Sequence, residues 1–209
     1  MSWIRTVIRR SVQPIHHRFR SGKSELFLSL ILERPGRLLD VGGGTGINGE
    51  FAPLYQKFES VTLINLNPPA QQVRDPFNLR IVKGDGRALP FANKSFDWVF
   101  SNAVIEHVGD WEDQKNFAAE IQRVAAKGYF ITTPNNYFPI EPHALMPFYQ
   151  FYPERLKPLA LRFSPGYMTA VERISLLTKK KVQILFPEAC VQHVNFTSAI
   201  IASYVVKLI

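Results

Sequence analysis

The sequence has little cysteine and no long apolar run. Cys190 is the single cysteine among 209 residues, which excludes a disulfide within the chain and a zinc cage built from several cysteines. The apolar stretch 196–209 is interrupted by Ser198, Ser203 and Lys207, and no other stretch approaches the ~20 consecutive apolar residues that cross a bilayer. The scarcity of cysteine is typical of a reducing compartment, so we expect a cytoplasmic location.

Acidic residues are missing from the N-terminal end of the chain. Six lysines and arginines precede the first acidic residue, Glu25, and contribute to a net charge of +8. Apolar residues recur at helical spacing in the same stretch. We therefore expect a basic amphipathic segment, 1–23, ahead of a single domain, 24–209. Three interpretations stay open: a helix packed on the domain with a solvated basic face, a peripheral contact with an anionic membrane or an acidic partner, and an organelle transit peptide.

Short runs rich in β-branched and aromatic residues predict strands. The first five lie at 37–41, 60–66, 79–85, 96–101 and 128–133, and two more lie near the C-terminus at 191–196 and 200–206. Helical or crossover segments separate the first five, which favours parallel pairing. The sequence therefore predicts an α/β fold with a doubly wound, mostly parallel sheet.

Capping residues predict where three of the helices begin. We expect Ser24 to cap a helix before the first strand and Thr178 to cap a helix before the last two strands. Asp110 is expected to cap the helix between the fourth and fifth strands, which Lys127 and Gly128 would close. The segment after the fifth strand is rich in proline and aromatic residues, so a loop with one or two short helices is predicted there.

Glycine is concentrated directly after the first predicted strand, which ends with Asp40 and Val41. The glycines are Gly42, Gly43, Gly44 and Gly46. In open α/β sheets ligands bind beyond the carboxyl ends of the strands, and glycine lets a ligand approach the backbone. Residues 44–49 match the dinucleotide fingerprint G-x-G-x-x-G, so an NAD(P)-binding oxidoreductase is one hypothesis. The acid that such a site carries about 20 residues later is missing, because Asn65 and Asn67 stand there.

Read instead as D-x-G-x-G-x-G from Asp40 to Gly46, the turn resembles the first motif of the class I S-adenosylmethionine-dependent methyltransferases. Further segments resemble that family's motifs in family order, at 61–67, 84–91, 96–108 and 130–143. The stretch FDWVFSNAVIEHV at 96–108 is very similar to the fourth-strand motif of the small-molecule (methyltransferase type 11-like) branch. The resemblance implies a Rossmann-like, seven-stranded sheet with an antiparallel last strand and helices on both faces. It also implies S-adenosyl-L-methionine as cofactor and methyl transfer by in-line displacement.

The resemblance assigns expected roles to the glycine turn and the strand ends. The expected cofactor-binding residues are Asp40, Gly42, Gly43, Gly44, Gly46, Asn65, Leu66, Asp85, Gly86 and Asn102. Asp40 would suit the ammonium group of the cofactor, and the glycines would allow backbone contact. Asp85 would accept a hydrogen bond from the adenine amino group. Asn102 would line the methionine portion.

The end of the second strand departs from the family pattern. Asn65 stands where the family usually has an acid that grips both ribose hydroxyls, and an amide makes weaker bonds than a carboxylate. Leu66 is expected to cover the adenine ring, with Ala88 or Leu89 on the other side. Asp97 is expected to be structural and to pair with the backbone or an arginine at the strand start.

Two histidines lie on the expected acceptor side of the site. His107 follows the fourth strand, and His143 lies on the loop after the fifth. Each is a candidate base for an acceptor hydroxyl or acidic C–H, and the alternative for each is a local structural role. The spacing of His, Asp and Glu gives no compact ligand set, so we expect no metal.

The fourth-strand motif and the aromatic loop favour a small or lipid-linked acceptor. Nucleic-acid amino-methyltransferases carry Asp, Asn or Ser followed by Pro-Pro-aromatic where this chain has 101–104, Ser-Asn-Ala-Val, so nucleic acid is a less favoured partner. The loop aromatics either shape an acceptor pocket or belong to the core; they are Phe138, Phe148, Tyr149, Phe151 and Tyr152. A non-catalytic methyltransferase-like partner protein is a further hypothesis, and the oligomeric state stays open.

Overall fold

The computed structural model describes most of the domain. The described residues are 23–31, 36–43, 51–68, 79–141, 143–164, 166, 171, 174–194 and 199–205. Residues 1–22, and with them nearly all of the basic N-terminal segment, lie outside this set. The three interpretations of that segment, and its separation from a domain over 24–209, therefore stay predictions. No helix among the described residues has the length and apolar character needed to cross a membrane.

A seven-stranded sheet forms the centre of the molecule. Its strands are β1 (Arg37–Val41), β2 (Ser60–Asn65), β3 (Leu79–Lys83), β4 (Phe96–Asn102), β5 (Ala125–Pro134), β8 (Cys190–Val194) and β9 (Ala199–Val205), and the two-residue strands β6 (Ile140–Glu141) and β7 (Met146–Pro147) form a separate hairpin. The order in the sheet is β3-β2-β1-β4-β5-β9-β8. The first five strands pair in parallel, whereas β9 is antiparallel to both of its neighbours. The expected mostly parallel sheet with an antiparallel last strand is confirmed.

Helices cover both faces of this sheet. They are α1 (23–30), α2 (Ala52–Tyr55), α3 (Trp111–Val124), α4 (Lys157–Leu161) and α5 (Lys179–Leu185). Two predicted caps are confirmed: the carboxylate of Asp110 accepts from the backbone N–H groups of Glu112 and Asp113, and the hydroxyl of Thr178 accepts from Lys181 N at 3.3 Å.

Some predicted ends are wrong. The helix α3 ends at Val124 rather than near Lys127 and Gly128, because Ala125 takes an extended backbone conformation and starts β5 without a loop. Ser24 lies inside the helical segment 23–30 and so is not its N-cap. The strands β2 and β3 also end before Leu66 and Asp85, which belong to the loops that follow.

The core has two layers because successive side chains of a strand point to opposite faces. Leu39 and Val41 of β1 pack in the cluster that α3 and α5 cover, whereas Leu38 packs in the cluster that α1 and α2 cover. Phe27 of α1 is buried in this second layer, where its ring centroid lies 5.0 Å from that of Phe130. An aromatic part of the core therefore lies under α1.

The segment 137–163, between β5 and α5, has its own small cluster of buried residues. Ala144, Tyr149 and Leu161 form that cluster, so Tyr149 belongs to a core. Several other large apolar side chains of the segment are exposed: Tyr137, Ile140, Phe148, Phe151, Leu156, Leu159 and Phe163. We call 137–163 the aromatic segment.

Candidate functional site

A cavity of about 390 Å³ lies at the carboxyl ends of β1, β2, β3 and β4. Its lining residues are Val41, Gly42, Ile64, Asn65, Leu66, Gly84, Asp85, Gly86, Arg87, Ala103, Val104, His107, Val108 and Phe117. Parallel strands end at one edge of the sheet, which is where ligands bind in this class of fold. The cavity therefore brings together five of the ten residues that the sequence assigned to the cofactor and one, His107, that it assigned to the acceptor side.

The glycine turn comes close to its neighbours on both sides. Gly42 has a φ of +82°, and a Cβ atom there would lie 2.5 Å from the side chain of Val104. A Cβ atom on Gly43 would lie 2.6 Å from a carboxylate oxygen of Asp40. Only glycine combines this backbone angle with this lack of space, and the bare backbone of Gly42 forms part of the cavity wall. Gly44 and Gly46 lie outside the described residues.

Asp40 lies beneath the glycine turn and does not line the cavity. Its carboxylate is buried and accepts hydrogen bonds from the hydroxyl of Tyr55 and from the backbone N–H of Gly43. Burial raises the pKa of Asp40 to about 7, although both hydrogen bonds oppose the shift. In this position Asp40 supports the turn from below, and its contact with the cofactor stays a prediction.

Asn65 and Leu66 form the part of the cavity wall contributed by the end of β2. The amide of Asn65 donates to the carbonyl oxygens of Gly42 and Gly43, at 3.3 and 3.1 Å. Its oxygen accepts from the backbone N–H of Asn67 at 3.1 Å. The Leu66 side chain is 56% exposed at the rim of the cavity. By contrast, Leu89 is buried in the core, and Ala88 is exposed and does not line the cavity.

Asp85 lines the cavity with its carboxylate held by an arginine that the sequence analysis did not single out. Arg87 donates to Asp85 through Nε at 3.0 Å and Nη2 at 2.7 Å, and its Nη1 donates to Asp113 at 2.8 Å. These bonds lower the pKa of Asp85. A Cβ atom on Gly86 would lie 2.6 Å from the ring of Phe117, so this turn packs directly on α3. The position of Arg87 two residues after Asp85 was the feature of the sequence that could have predicted this contact.

Asn102 ends β4 just outside the cavity. Its side-chain oxygen accepts from Thr132 Oγ1 at 2.7 Å and from Lys23 Nζ at 3.1 Å. Ala103, which follows, has a φ of +55°, which is uncommon for a residue with a side chain. This sharp turn leads the chain into the cavity wall at Val104. Lys23 reaches this site from α1, which nothing in the sequence indicated.

Asp97, at the other end of β4, has the structural role that the sequence predicted. Its carboxylate accepts from Arg37 N at 2.8 Å and contacts Lys127 Nζ at 3.1 Å. A Cβ atom on Gly36 would lie 2.5 Å from the same carboxylate. These contacts join the beginnings of β1, β4 and β5, far along the sheet from the cavity.

The two predicted catalytic histidines lie together. Their ring centroids are 5.0 Å apart and their ring planes are nearly perpendicular. His107 lines the cavity, and its Nε2 atom is 3.9 Å from Oε1 of Glu106. Potential metal-ligating atoms of Glu106, His107 and His143 all lie within 4.8 Å of one another. The expectation that the chain has no compact ligand set is therefore wrong, because residues distant in sequence meet where the aromatic segment packs against the end of β4.

Two buried carboxylates flank the histidines. Burial raises the pKa of Glu106 to about 7, against the effect of its hydrogen bonds and of the nearby His143 and Lys23. Burial also acts to raise the pKa of Glu141, but hydrogen bonds from His143 and Ala144 outweigh it, and the net shift is downward. In the sequence Glu106 directly precedes His107 and Glu141 lies two residues before His143, but neither carboxylate was among the predicted site residues.

The cavity fits the methyl donor that the resemblance implies. Small-molecule sites enclose roughly 300–1,000 Å³ and combine an apolar lining with a few polar groups. This cavity has that character, with Ile64, Val104 and Phe117 beside Asn65 and Asp85. Gly42 provides an uncovered backbone surface at the point where any side chain would fill the space.

Comparison with known proteins gives one family match. Residues 39–132 match a family model described as a methyltransferase domain, and this range contains β2 to β4 and most of β1 and β5. Comparison with curated protein sequences gives no match.

Solved structures share the fold at low sequence identity. A protein from Pyrococcus horikoshii OT3 is 17% identical, with a TM-score of 0.62 and 90% of each chain covered. A Thermotoga maritima protein, described as a SAM-dependent methyltransferase and possible histamine N-methyltransferase, is 16% identical, with a TM-score of 0.59 and 95% of each chain covered. A SAM-dependent methyltransferase from Methanosarcina mazei is 15% identical, with a TM-score of 0.56, 87% of this chain and 98% of that chain covered. The chain therefore contains a methyltransferase domain over 39–132 and shares its fold with solved SAM-dependent methyltransferases.

Proposed function

We propose that this methyltransferase acts on a small or lipid-linked acceptor by in-line displacement. The main support for the proposal is that one cavity contains both expected cofactor-binding residues and an expected catalytic residue. His107 lines the same space as Gly42, Asn65 and Asp85. An acceptor that reaches His107 is therefore beside the donor site. A large folded acceptor would have to send a single extended group into this space.

The chain's own residues would hold the donor in place. When bound, S-adenosylmethionine supplies a methyl group on a sulfonium, which is an excellent leaving group and leaves the protein to align the acceptor behind the methyl carbon. The backbone at Gly42 would contact the amino-acid end, and Asn65 the ribose. Asp85, oriented by Arg87, would accept from the adenine amino group, with Leu66 against the ring.

The acceptor side would combine proton removal with exclusion of water. His107 lines the cavity, and the ring of His143 lies against that of His107. An imidazole has a suitable pKa for taking a proton near neutral pH. Val104 and Val108 contribute apolar surface to the same cavity as His107. This surface would keep water from the transferred methyl group.

The aromatic segment supports the lipid-linked class of acceptor. Phe148, Phe151 and Phe163 are more than half exposed, and exposed apolar side chains in one segment suit contact with a partner or a membrane. Arg155 and Arg162 belong to the same segment and suit an anionic surface. His143 also lies on it, so a bilayer against the aromatic segment would present a lipid-linked group near the candidate acceptor side. The cytoplasmic, membrane-peripheral location follows as part of this proposal.

Transfer of a tritium-labelled methyl group tests the proposal. The protein is incubated with labelled S-adenosylmethionine and either the lipid fraction or the water-soluble metabolite fraction of cells. Label is expected in a lipid-extractable or small product. Leu66→Asp, at the exposed rim of the cavity, should lower the rate at least about tenfold, because the loss of one apolar contact with the donor is enough for a change of that magnitude. Ile184→Asp changes an exposed residue of α5 and should leave the rate unchanged. Label only in protein or nucleic acid would contradict the proposal.

A further inference from the structure

Glu106, His107 and His143 form a compact group at the acceptor side of the cavity. Their potential ligating atoms lie within 4.8 Å of one another, and Glu106 Oε1 is 3.9 Å from His107 Nε2. Around a cation with bonds of about 2.1 Å, neighbouring ligand atoms are roughly 3–3.5 Å apart. Movements of about 1 Å or less would therefore close the three residues around one ion.

The carboxylate of Glu106 has an unsatisfied oxygen. The residue is 0% exposed, Oε2 accepts from Thr133 Oγ1 at 3.0 Å, and Oε1 has no hydrogen-bond partner among the described residues. A buried carboxylate oxygen without a donor is costly. A cation between Glu106 and the two histidines would remove that cost.

His143 has the hydrogen bond typical of a metal-bound histidine. Its Nδ1 atom is 2.5 Å from Oε1 of Glu141, a carboxylate that is 3% exposed. Glu141 is itself fixed, because its Oε2 accepts from the backbone N–H groups of His143 and Ala144 at 3.0 and 2.6 Å. With Nδ1 as the donor to Glu141, Nε2 is the nitrogen that carries the lone pair. Carboxylates in this position orient histidine ligands and raise their basicity.

The turn that carries Glu106 and His107 is held rigidly. Gln114 Nε2 donates to the carbonyl oxygen of Ile105 at 3.1 Å. The backbone N–H of Ser175 donates to the carbonyl oxygen of Glu106 at 2.8 Å. Support of this kind from neighbouring elements is what keeps ligands in place before an ion binds.

We propose that Glu106, His107 and His143 bind one divalent transition-metal cation at the wall of the cavity. Two imidazoles and one carboxylate suit ions such as Zn²⁺, Co²⁺ or Fe²⁺ rather than Mg²⁺ or Ca²⁺, which prefer oxygen ligands. Three protein ligands leave positions open, and there the ion would hold an acceptor oxygen and ease loss of its proton. With the ion bound, the two histidines would act as ligands and water would take the proton, in place of the direct proton removal by an imidazole. The binding of the ion does not depend on the proposed function. The role of the ion in holding the acceptor oxygen does rest on the proposed methyl transfer.

Titration of the chelator-treated full-length protein with Co²⁺ tests the site, because Co²⁺ absorption reports its ligands. His107→Ala changes an exposed side chain and should not affect folding, and it is expected to weaken Co²⁺ binding about tenfold or more. Glu106→Gln should do the same, with far-UV circular dichroism as the check on folding. His193→Ala, exposed on β8, is the matched control and should leave this band and its affinity unchanged.

Glu141→Gln tests whether Glu106, His107 and His143 bind a metal or only stabilise the fold. It keeps the shape of the residue but weakens the orientation of His143, so Co²⁺ affinity should fall about tenfold while the ligands stay the same. Equal Co²⁺ binding in wild type, His107→Ala and Glu106→Gln, or no binding by the wild type, would overturn the metal site. Calorimetry with S-adenosylmethionine on the same samples distinguishes the two failures: donor binding without Co²⁺ binding rejects only the metal, and the reverse rejects only the proposed function.

Discussion

The side-chain amide of Asn65 donates a hydrogen bond of 3.1 Å to the carbonyl oxygen of Gly43. A second bond of 3.3 Å reaches the carbonyl oxygen of Gly42. Two carbonyl acceptors need a donor, which an amide provides and an ionised carboxylate does not. The departure from the family's usual acid at this position therefore has a structural reason, because Asn65 ties the end of β2 to the glycine turn.

Replacing Asn65 by aspartate should destabilise the protein. Asn65→Asp removes both donors and places a negative charge against two carbonyl oxygens, so the free energy of unfolding should fall by about 1–2 kcal/mol. Urea denaturation at neutral pH measures the change. Asn67→Asp introduces the same charge two residues away on an exposed side chain and serves as the control. Equal losses in the two variants would show that the amide bonds contribute nothing.

Asp40 should make stability depend on pH between about 4 and 7. Its pKa is about 7 in the folded protein and 3.8 in the unfolded chain, so in this interval the folded state holds a proton that the unfolded state has released. The contribution to stability is present below pH 3.8 and is lost as pH rises through 7. The slope approaches about 1.4 kcal/mol per pH unit.

Asp40→Asn removes this titration and isolates its effect. The groups that face Asp40 among the described residues are the hydroxyl of Tyr55 and the N–H of Gly43, and an amide oxygen still accepts from both. Urea denaturation at a series of pH values from 5 to 8 should give a smaller loss of stability with rising pH in the variant than in the wild type. Parallel curves would contradict the account of Asp40.

Arg87 should contribute to donor affinity through Asp85. Arg87→Ala removes the bonds that orient Asp85 and link it to Asp113, so the dissociation constant for S-adenosylmethionine should rise roughly tenfold, the effect of one lost charged hydrogen bond. Arg123 makes a similar set of bonds to Glu120 and to backbone carbonyls away from the cavity. Calorimetry should show normal affinity in Arg123→Ala, and an equal loss in both variants would indicate a general effect of destabilisation.

The exposed aromatic residues should bind an anionic bilayer. Replacing Phe148 and Phe151 by serine removes two large apolar side chains that are each more than half exposed, and the fraction bound to phosphatidylglycerol-containing vesicles should fall by about tenfold or more. Flotation of the vesicles measures binding. The control is Ile184→Ser, which changes an exposed apolar residue of α5. Unchanged flotation of the double variant would remove the support for a lipid-linked acceptor.

Local patterns predicted the sheet well because buried strands and caps have strong signals. The runs at β1 and β4, and the caps Asp110 and Thr178, were found where expected. The end of α3 was predicted wrongly because Gly128 was taken as a helix terminator, whereas it pairs with Trp98 inside the sheet. The two-residue strands β6 and β7 were too short to leave a pattern.

The site was predicted less completely because its key contacts join residues distant in sequence. The glycine turn and His107 follow strands directly, so the topology alone brings them to one edge. The contact of His107 with His143, the bond of Arg87 to Asp113, and the reach of Lys23 to Asn102 depend on how loops pack. No periodicity or spacing reports such packing.

A crystal structure with S-adenosylhomocysteine, the demethylated form of the donor, would show whether the cavity is the donor site. We expect electron density in the cavity, with the amino-acid end against the backbone of Gly42, the ribose at Asn65 and the adenine beside Leu66 and Asp85. Density elsewhere on the protein, or a cavity that stays empty at saturating ligand, would contradict this expectation.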